Sequence, residues 1–304
     1  MSKSKNKGKS PEKKSVKARE REKLRVLARM HYKKMITYPL IVFIAAVLIL
    51  AVHFPTLGID LRGGVVVTAY GVSANPDQLA KDLSSALGVQ VKVESFTGVG
   101  TTGVRIYAPA GTDPEKIISL MKEKYPDAKY SQNVVQPTFG KVAQRQGMKA
   151  IALAFLAMAA VVFLFFRNPV SSMAIIFSAF SDMTIAVALM GVFGIELTTA
   201  TIAALLMLIG YTVDSNILLT TKLLKRKEDT IEDAYLSAVS TGFTMSTTTL
   251  GALFVLWLIS TSQTIDNIAI VLIFGLLADF MNTWIFNAGV LKWYLSRNVQ
   301  GGRS

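Results

Sequence analysis

The sequence predicts a polytopic α-helical membrane protein with six transmembrane helices and a small external α+β domain between the first two. Three observations lead to this fold class. Hydrophobic residues make up 51% of the 304 residues, and several windows exceed the roughly 18 apolar residues that a membrane span requires. A more polar segment with alternating strand and helix patterns separates the first apolar window from the second.

Six apolar windows are long enough to cross the bilayer as helices. They lie near residues 37–54, 149–166, 171–193, 199–221, 243–260 and 267–291. The first is interpreted as an uncleaved span, because its apolar run is longer than a signal core and no A-x-A site follows it. An even number of spans places both chain termini on one side of the membrane.

Basic residues predict the orientation. Residues 1–34 hold 14 Lys or Arg against 3 Glu, so they carry +11 of the net charge of +13. Other basic residues flank the spans, at Arg167, Lys222, Lys225, Arg226, Lys227, Lys292 and Arg297. Cytoplasmic loops are enriched in Lys and Arg, so both termini are predicted to be cytoplasmic and residues 55–148 external. The basic tail is expected to contact anionic membrane lipid, with ribosomal RNA or a protein partner as the alternative and no specific nucleic acid expected.

The chain is thus divided into five segments. They are a basic cytoplasmic tail (1–34), the first transmembrane helix (35–54), an external domain (55–140), a five-helix transmembrane bundle (141–295) and a cytoplasmic C-terminal tail (296–304). The amphipathic stretch 223–243 within the bundle is predicted to form an interfacial helix on the cytoplasmic side.

The external segment has the pattern of one small α+β domain. A period-two run at 64–71 precedes a helix opened by Asn75-Pro76, and two strand-like runs follow at 89–96 and 103–109. A second helix opens at Asp113-Pro114 before a last strand near 128–135. The order βαββαβ predicts a ferredoxin-like fold. Because this segment has no His or Cys, we expect it to grip or sense a partner rather than catalyse a reaction.

Three carboxylates lie inside the predicted spans: Asp182 in the third, Asp214 in the fourth and Asp279 in the sixth. A charged side chain at the bilayer centre costs about 2.5–3.5 kcal/mol on insertion scales, so such residues are normally retained for ion or proton handling. Asp214 is the first candidate, and Asp182 and Asp279 are expected to assist it. No Lys or Arg inside the predicted spans offers a counter-charge.

Polar and small neighbours accompany these acids. Asn216 follows Asp214 by two residues, and Gly210 precedes it by four, which places Gly210 on the same helical face. Two interpretations remain open: such groups line a hydrated ion path, or they form interhelical hydrogen bonds that only hold the bundle together.

The sequence argues against an enzyme. There is no Cys, and the two histidines, His31 and His53, are isolated from each other and from any nucleophile. No spacing of nucleophile and base or of metal ligands is present, so neither a metal site nor a cofactor is expected.

Four motifs, in this order and spacing, resemble the SecD/SecF family of protein-export membrane components, which belongs to the RND transporter superfamily. They are GIDLRGG at 58–64, QPTFG at 136–140, the Ser-Asp of FSDMT at 180–184 and IGYTVDSN at 209–216. The chain is most similar to the archaeal type of the SecF branch. It departs from bacterial SecF at Ser181, Ser215 and Asp279, where the bacterial pattern has a His, an acid and a small polar residue, respectively.

The resemblance implies a function in protein export. A SecF-like subunit pairs with SecD in a twelve-span complex of the cytoplasmic membrane. It uses the transmembrane ion gradient to help move unfolded secretory polypeptides that emerge from the Sec translocation channel. Two other interpretations remain: a scaffold that stabilises SecD and the channel without transport of its own, and a half-transporter for small molecules.

The GIDLRGG motif is interpreted mainly as a structural element. The residues concerned are Gly58, Asp60, Arg62, Gly63 and Gly64. Gly63 and Gly64 are predicted to allow a tight entry into the first strand, and Asp60 and Arg62 are predicted to pair locally. The alternative is that the motif links the first span mechanically to the external domain.

Overall fold

The computed structural model describes residues 30–98, 101–225, 230–260 and 262–301. Most of the predicted basic tail, residues 1–29, lies outside these ranges. Within them, six helices are long and apolar enough to cross a membrane, which confirms the predicted number of spans.

The spanning helices have the following bounds. The first five are α1 (Tyr32–Val52), α5 (Pro137–Phe166), α6 (Pro169–Val192), α7 (Thr199–Leu224) and α8 (Ile231–Ile259). The sixth is α9 (Gln263–Met281), continued by a π-helical segment (Asn282–Asn287) and α10 (Ala288–Gly301). Helices α6, α7 and α9 form the packed centre, whereas α1, α5 and α8 flank it and leave most of their apolar side chains exposed.

The external domain has the predicted βαββαβ order. Its elements are β1 (Gly64–Tyr70), α3 (Pro76–Leu87), β2 (Lys92–Gly98), β3 (Thr101–Ala108), α4 (Pro114–Lys124) and β4 (Lys129–Val135). The sheet is antiparallel with strand order β2-β3-β1-β4, as in the ferredoxin-like fold. Alternate residues of the strands, such as Val65, Val67 and Ile106, form a core with α3 and α4.

The two helices of this domain begin where the sequence predicts. The side chain of Asn75 accepts hydrogen bonds from the backbone N–H groups of Asp77 and Gln78, and Asp113 accepts one from Glu115. Each cap is followed by a proline at the first helical position, where the missing N–H costs nothing.

The prediction of one separate helix over 223–243 is wrong. Helix α7 continues to Leu224, and α8 runs without interruption from Ile231 to Ile259. Thr230 caps α8, and the amphipathic pattern of its first turns reflects burial of Tyr235, Ala238 and Val239 in a cluster with the end of the sixth span. Part of the amphipathic pattern therefore reflects helix packing, and the predicted location at the cytoplasmic interface stays a prediction.

Two helices continue across boundaries of the predicted segments. Helix α5 begins at Pro137, so the last residues of the predicted external domain are the first turn of the second spanning helix. Helix α10 continues to Gly301, beyond the predicted boundary at residue 295.

Candidate functional site

A cluster of polar side chains lies in the packed centre of the membrane domain, where α6, α7 and the sixth span meet. All of its members are at most 2% exposed. The buried polar cluster consists of Ser178, Ser181, Asp182, Thr212, Ser215, Asn216, Asp279, Asn282, Thr283 and Asn287. Polar groups at such depth require internal hydrogen-bond partners, and the partners they find define the site.

Asp279 is held by two hydroxyl groups. Ser215 Oγ donates to Asp279 Oδ2 at 2.7 Å, which connects the sixth span to α7. Thr283 Oγ1, one turn further along the same span, donates to Asp279 Oδ1 at 2.6 Å. Both carboxylate oxygens therefore accept a bond from a neutral donor.

Asp182 has a partner on only one of its oxygens. Asn282 Nδ2 donates to Asp182 Oδ1 at 2.6 Å and to Ser181 Oγ at 2.9 Å, which connects α6 to the sixth span. Among the described residues, no hydrogen bond of standard geometry reaches Asp182 Oδ2, although the Thr212 side chain lies close enough to interact with this carboxylate.

Asn216 extends the cluster along α7. Asn287 Nδ2 donates to Asn216 Oδ1 at 2.6 Å, and Asn216 Nδ2 donates to the Thr212 carbonyl at 2.8 Å. Asn216 Nδ2 also contacts Ser178 Oγ on α6 at 3.5 Å, so three separate groups of side-chain hydrogen bonds join the three central helices.

The π-helical segment carries the two amides of the sixth span that bind neighbouring helices. Residues five apart on an α-helix point in different directions, because each turn contains 3.6 residues. Asn282 contacts α6 and Asn287 contacts α7, and both lie in the π-helical segment, whose i→i+5 hydrogen bonds widen the turn and reduce the angle between residues five apart. Segments of this kind are frequent at functional sites.

No cation within 4 Å balances the buried acids in the part of the chain that the structure describes. Its three ion-paired combinations all involve the external domain: Lys92 with Glu94, Lys92 with Glu196, and Lys124 with Asp82. An ionised carboxylate without a counter-charge is costly in a dry interior. The cluster is therefore suited to binding and releasing a proton or a small cation.

Asp214 lies outside this cluster. It is exposed, and so are Ala203, Met207, Gly210 and Tyr211 on the same side of α7; we call these five residues the exposed α7 stripe. A Cβ atom added at Gly210 would meet nothing within 4 Å. The structure thus brings together Asp182, Asp279 and Asn216, and it places Asp214 and Gly210 on the opposite side of their helix.

Some members of the cluster were missed by the sequence analysis. Asn287, Thr283 and Ser178 were not singled out, and the only signal for them is that each is a polar residue within an apolar span. The five-residue offset between Asn282 and Asn287 speaks against a shared face if the span is a regular α-helix.

The GIDLRGG motif joins the external domain to the start of α7. Its residues Ile59–Arg62 form a one-turn helix, α2. Asp60 Oδ2 accepts a hydrogen bond from the Thr199 N–H, in the first turn of α7, at 2.5 Å. The Gly58 N–H donates to the Leu197 carbonyl at 2.8 Å.

The predicted local pair between Asp60 and Arg62 is therefore wrong. Residues two apart on a helix do not face each other, and no contact between the two within 4 Å is among the described ion pairs. The Asp60 carboxylate instead lies at the positive end of the α7 dipole, which favours a negative charge.

Close backbone contacts also join the motif to α5. Gly63 has a φ of +82°, and a Cβ there would lie 2.7 Å from Pro137 Cα. A Cβ at Gly140 would collide with the Leu61 carbonyl, whose oxygen also accepts a bond from Gln144 Nε2 at 2.7 Å. As predicted, Gly63 and Gly64 form a tight strand entry, since a Cβ at Gly64 would lie 2.7 Å from the Ala108 carbonyl oxygen.

An ion-paired contact forms a second connection between the two domains. Lys92 Nζ on β2 lies 2.7 Å from Glu94 and 3.1 Å from Glu196 in the loop before α7. Burial alone would lower the pKa of the Lys92 ammonium, but the two carboxylates hold it above its usual value. Burial alone would raise the pKa of the Glu94 carboxyl, but Lys92 holds it below its usual value. Burial and the Glu94 charge raise the pKa of Tyr107.

Known proteins resemble the chain over most of its length. The family model described as "Protein export membrane protein SecD/SecF, C-terminal" matches residues 116–297. The "Protein-export membrane protein SecF" of Thermococcus gammatolerans is 68% identical and covers 91% of this chain and 90% of its own. The protein of the same name from Pyrococcus furiosus is 60% identical and covers 91% and 96%.

Solved structures show the same fold. The chain superposes on a crystal structure of SecDF, described as a translocon-associated membrane protein from a Thermus species, with a TM-score of 0.72 and 19% identity. The match covers 86% of this chain and 38% of the SecDF chain. A second SecDF crystal structure, in a super-membrane-facing form, gives a TM-score of 0.61 over 90% of this chain and 40% of that one.

Proposed function

The chain belongs to the family of SecF protein-export membrane proteins, and we propose that it works with a SecD subunit to couple a transmembrane ion gradient to polypeptide export. Its substrate would be an unfolded secretory polypeptide leaving the Sec translocation channel. Both chain termini and the loop between α7 and α8 would be cytoplasmic, as the distribution of Lys and Arg indicates. The external domain would then face the emerging polypeptide.

The observation that carries the proposal is the pair of buried acids, Asp182 and Asp279. Each is at most 1% exposed, and each accepts hydrogen bonds only from neutral groups among the described residues. Ionisable residues with these properties inside a membrane commonly form ion or proton pathways.

Loading and unloading of the acids would change contacts between helices. The Ser215 bond to Asp279 holds α7 to the sixth span, and the Asn282 bond to Asp182 holds α6 to the sixth span. Hydrogen bonds to charged groups contribute about 1.5–3 kcal/mol. One charge that crosses 100 mV supplies about 2.3 kcal/mol, which is enough to shift one such contact. A longer movement would need several ions per cycle.

The movement would reach the external domain through the start of α7. Ser215 contacts the ion-binding acid at one point of this helix, and Thr199 in its first turn is bonded to Asp60 of the GIDLRGG motif. A shift of α7 would therefore tilt the external domain and change its hold on the polypeptide.

The exposed α7 stripe would face SecD. An acid exposed to lipid is unfavourable, so Asp214 is expected to be covered by the partner subunit. Gly210 in the same stripe would permit close helix contact, as small residues do in membranes.

The test is export of a reporter protein into vesicles with a defined ion gradient. Wild type is compared with Asp182→Asn, Asp279→Asn and Asp214→Asn, at equal membrane abundance and equal recovery of SecD. The proposal expects that the two buried-acid variants lose the gradient-stimulated part of export. Normal stimulation in both would refute it.

One observation favours a second function, that of a non-transporting scaffold. The cluster hydrogen bonds join all three central helices, and interhelical bonds of this kind also stabilise membrane bundles. In that case the Asn variants, which keep the size of the acids and most of their hydrogen bonds, would support export normally. Variants that break these hydrogen bonds would instead reduce recovery of SecD.

A further inference from the structure

An apolar cavity lies directly beneath the GIDLRGG motif. Its volume is about 550 Å³, within the usual range of about 300–1,000 Å³ for ligand cavities. It is formed by α1, α5, α6 and α7, with side chains such as Leu50, Phe54, Met148, Ile151, Met183 and Leu205.

The apolar lining of the cavity favours an alkyl chain over a polar ligand. Gln144 and Thr184 are its two polar side chains, and both already have partners. Gln144 donates to the Leu61 carbonyl at 2.7 Å, and Thr184 donates to the Phe180 carbonyl at 2.8 Å. The interior of the cavity therefore offers no unsatisfied side-chain group to a polar molecule.

The position of the cavity gives it access to the bilayer. It is lined by the end of α1 near the external domain and by the first apolar turns of α5, so it lies in the outer half of the membrane in the predicted orientation. Phe54 and Met148 at these ends are 61% and 70% exposed. Lipid chains are the apolar molecules that surround such an opening.

A row of basic residues runs beside the cavity. Lys141, Arg145 and Lys149 lie on successive turns of α5, and each is exposed. Arg145 and Lys149 directly follow the lining residues Gln144 and Met148, and Lys141 lies three residues before Gln144. None of the three basic residues is among the ion pairs of the described chain. Basic residues on the outer side run against the usual charge distribution, whereas cations near a membrane surface attract anionic lipid head groups.

We propose that this cavity is a binding site for an anionic phospholipid of the outer leaflet. Its alkyl chain would occupy the space between α1, α5, α6 and α7, and its phosphate would contact Lys141, Arg145 and Lys149. Bound there, the lipid would support the junction at Leu61 from below and couple the lipid composition of the membrane to the position of the external domain.

Photo-crosslinking tests the site on the full chain in complex with SecD. The complex is placed in phosphatidylcholine vesicles that contain a small fraction of either phosphatidylglycerol or phosphatidylcholine with a photoreactive group in mid-chain, and the labelled peptides are mapped by mass spectrometry. We expect labelling of Met148, Ile151 and Met183, with phosphatidylglycerol favoured about tenfold by the three nearby cations.

Two variants and a matched control sharpen the result. Reversing the row (Lys141→Glu, Arg145→Glu, Lys149→Glu), which leaves the packed core untouched, should remove the preference for phosphatidylglycerol. Filling the cavity with Val187→Trp should remove labelling by both probes. Reversing three exposed lysines of the external domain, Lys116, Lys122 and Lys129, should change nothing.

Three outcomes would overturn the proposal. They are equal labelling by both lipids in wild type, a preference that survives reversal of the basic row, and labelling spread over exposed α5 positions such as Leu153 and Leu156 instead of the cavity. The last outcome would identify ordinary surrounding lipid. A crosslink between SecD and the lining residues would also overturn it, because a partner helix would then occupy the cavity.

Discussion

The acids of the external domain have cationic partners, whereas those of the membrane centre have neutral ones. At the external domain, Glu94 and Glu196 share Lys92, and Asp82 pairs with Lys124. In the membrane centre, Asp182 and Asp279 accept bonds only from amide and hydroxyl groups among the described side chains. A fixed cation holds a carboxylate in one state, whereas neutral donors leave it free to exchange a proton or an ion.

The difference follows from the surroundings. A solvated ion pair contributes little, about 0–1 kcal/mol, and it can be lost without harm to the fold. A buried acid is costly whenever it is ionised and unpaired, so its presence in the centre has to be repaid by function.

The largest effect is expected when the buried acid at position 279 is removed and then reintroduced at position 215 on α7. Asp279→Ser should reduce gradient-stimulated export roughly tenfold or more, since it removes one ion-binding group. Adding Ser215→Asp should restore much of that loss, because the acid returns to the same 2.7 Å contact from the other helix. Export from vesicles with an imposed gradient measures both. A double variant as defective as Asp279→Ser would contradict an exchange at this contact.

A large loss of stability is expected at the junction between the two regions. Gly140→Ala forces a Cβ against the Leu61 backbone, which should lower the free energy of unfolding by about 3 kcal/mol. The matched control is Gly251→Ala on the exposed side of α8, where no atom lies within 4 Å, and it should be neutral or stabilising by up to about 1 kcal/mol. Thermal unfolding of the purified complex compares them. Equal midpoints would show that the junction can shift.

An intermediate loss is expected within the buried polar cluster. Asn282→Ala removes the hydrogen bond to the Asp182 carboxylate and should destabilise the membrane domain by about 2 kcal/mol. Thr248→Ala is the control, because this exposed hydroxyl bonds only to carbonyls of its own helix and should change stability by less than about 0.5 kcal/mol. Denaturant unfolding in detergent separates the two. Similar losses in both variants would mean that the bond from Asn282 to Asp182 contributes no more stability than an exposed hydroxyl does.

The smallest effect is expected from the ion pairs of the external domain. Lys92→Met should cost at most about 1 kcal/mol, since the pair is partly solvated. The contribution of Glu94, whose pKa is lowered, should persist at neutral pH and be lost as the pH falls through its folded pKa. The contribution of Lys92, whose pKa is raised, should be lost only as the pH rises through its folded pKa.

Loss of the ion pair is expected to let the external domain separate from the loop before α7. Spin labels on these two regions would report the separation as an increased distance at acid and at strongly alkaline pH. In Lys92→Met the distance should no longer depend on pH at either end. A distance that stays constant in wild type over the whole range would show that the ion pair does not hold the two domains together.

The external domain and the spans were predictable because local signals specify them. Asn75-Pro76 and Asp113-Pro114 mark helix starts by backbone chemistry alone, and long apolar windows leave little choice but a spanning helix. The buried polar cluster was only partly predictable. Asp182, Asp279 and Asn216 stand out as polar residues in apolar spans, but which side of α7 faces inward depends on packing between distant segments.

Asp214 illustrates that limit. Like Asp182 and Asp279, it is a carboxylate within an apolar span, so the sequence does not distinguish the three. In the structure Asp214 lies on the exposed α7 stripe, whereas Asn216, two residues later, lies in the cluster. A π-helical segment such as that at Asn282–Asn287 changes the helical period, and no local motif announced it. The Asp60 contact with Thr199 joins residues 139 positions apart, so it too depends on the tertiary fold.

Exchange of an ion at Asp182 and Asp279 under an imposed gradient can be observed directly by infrared difference spectroscopy of the complex in vesicles. Spectra are recorded before and after a proton or a sodium gradient is applied. The account predicts a change in the carboxyl bands of wild type that is reduced in Asp182→Asn and in Asp279→Asn and lost when the two are combined. An unchanged carboxyl signal in the double variant would contradict it.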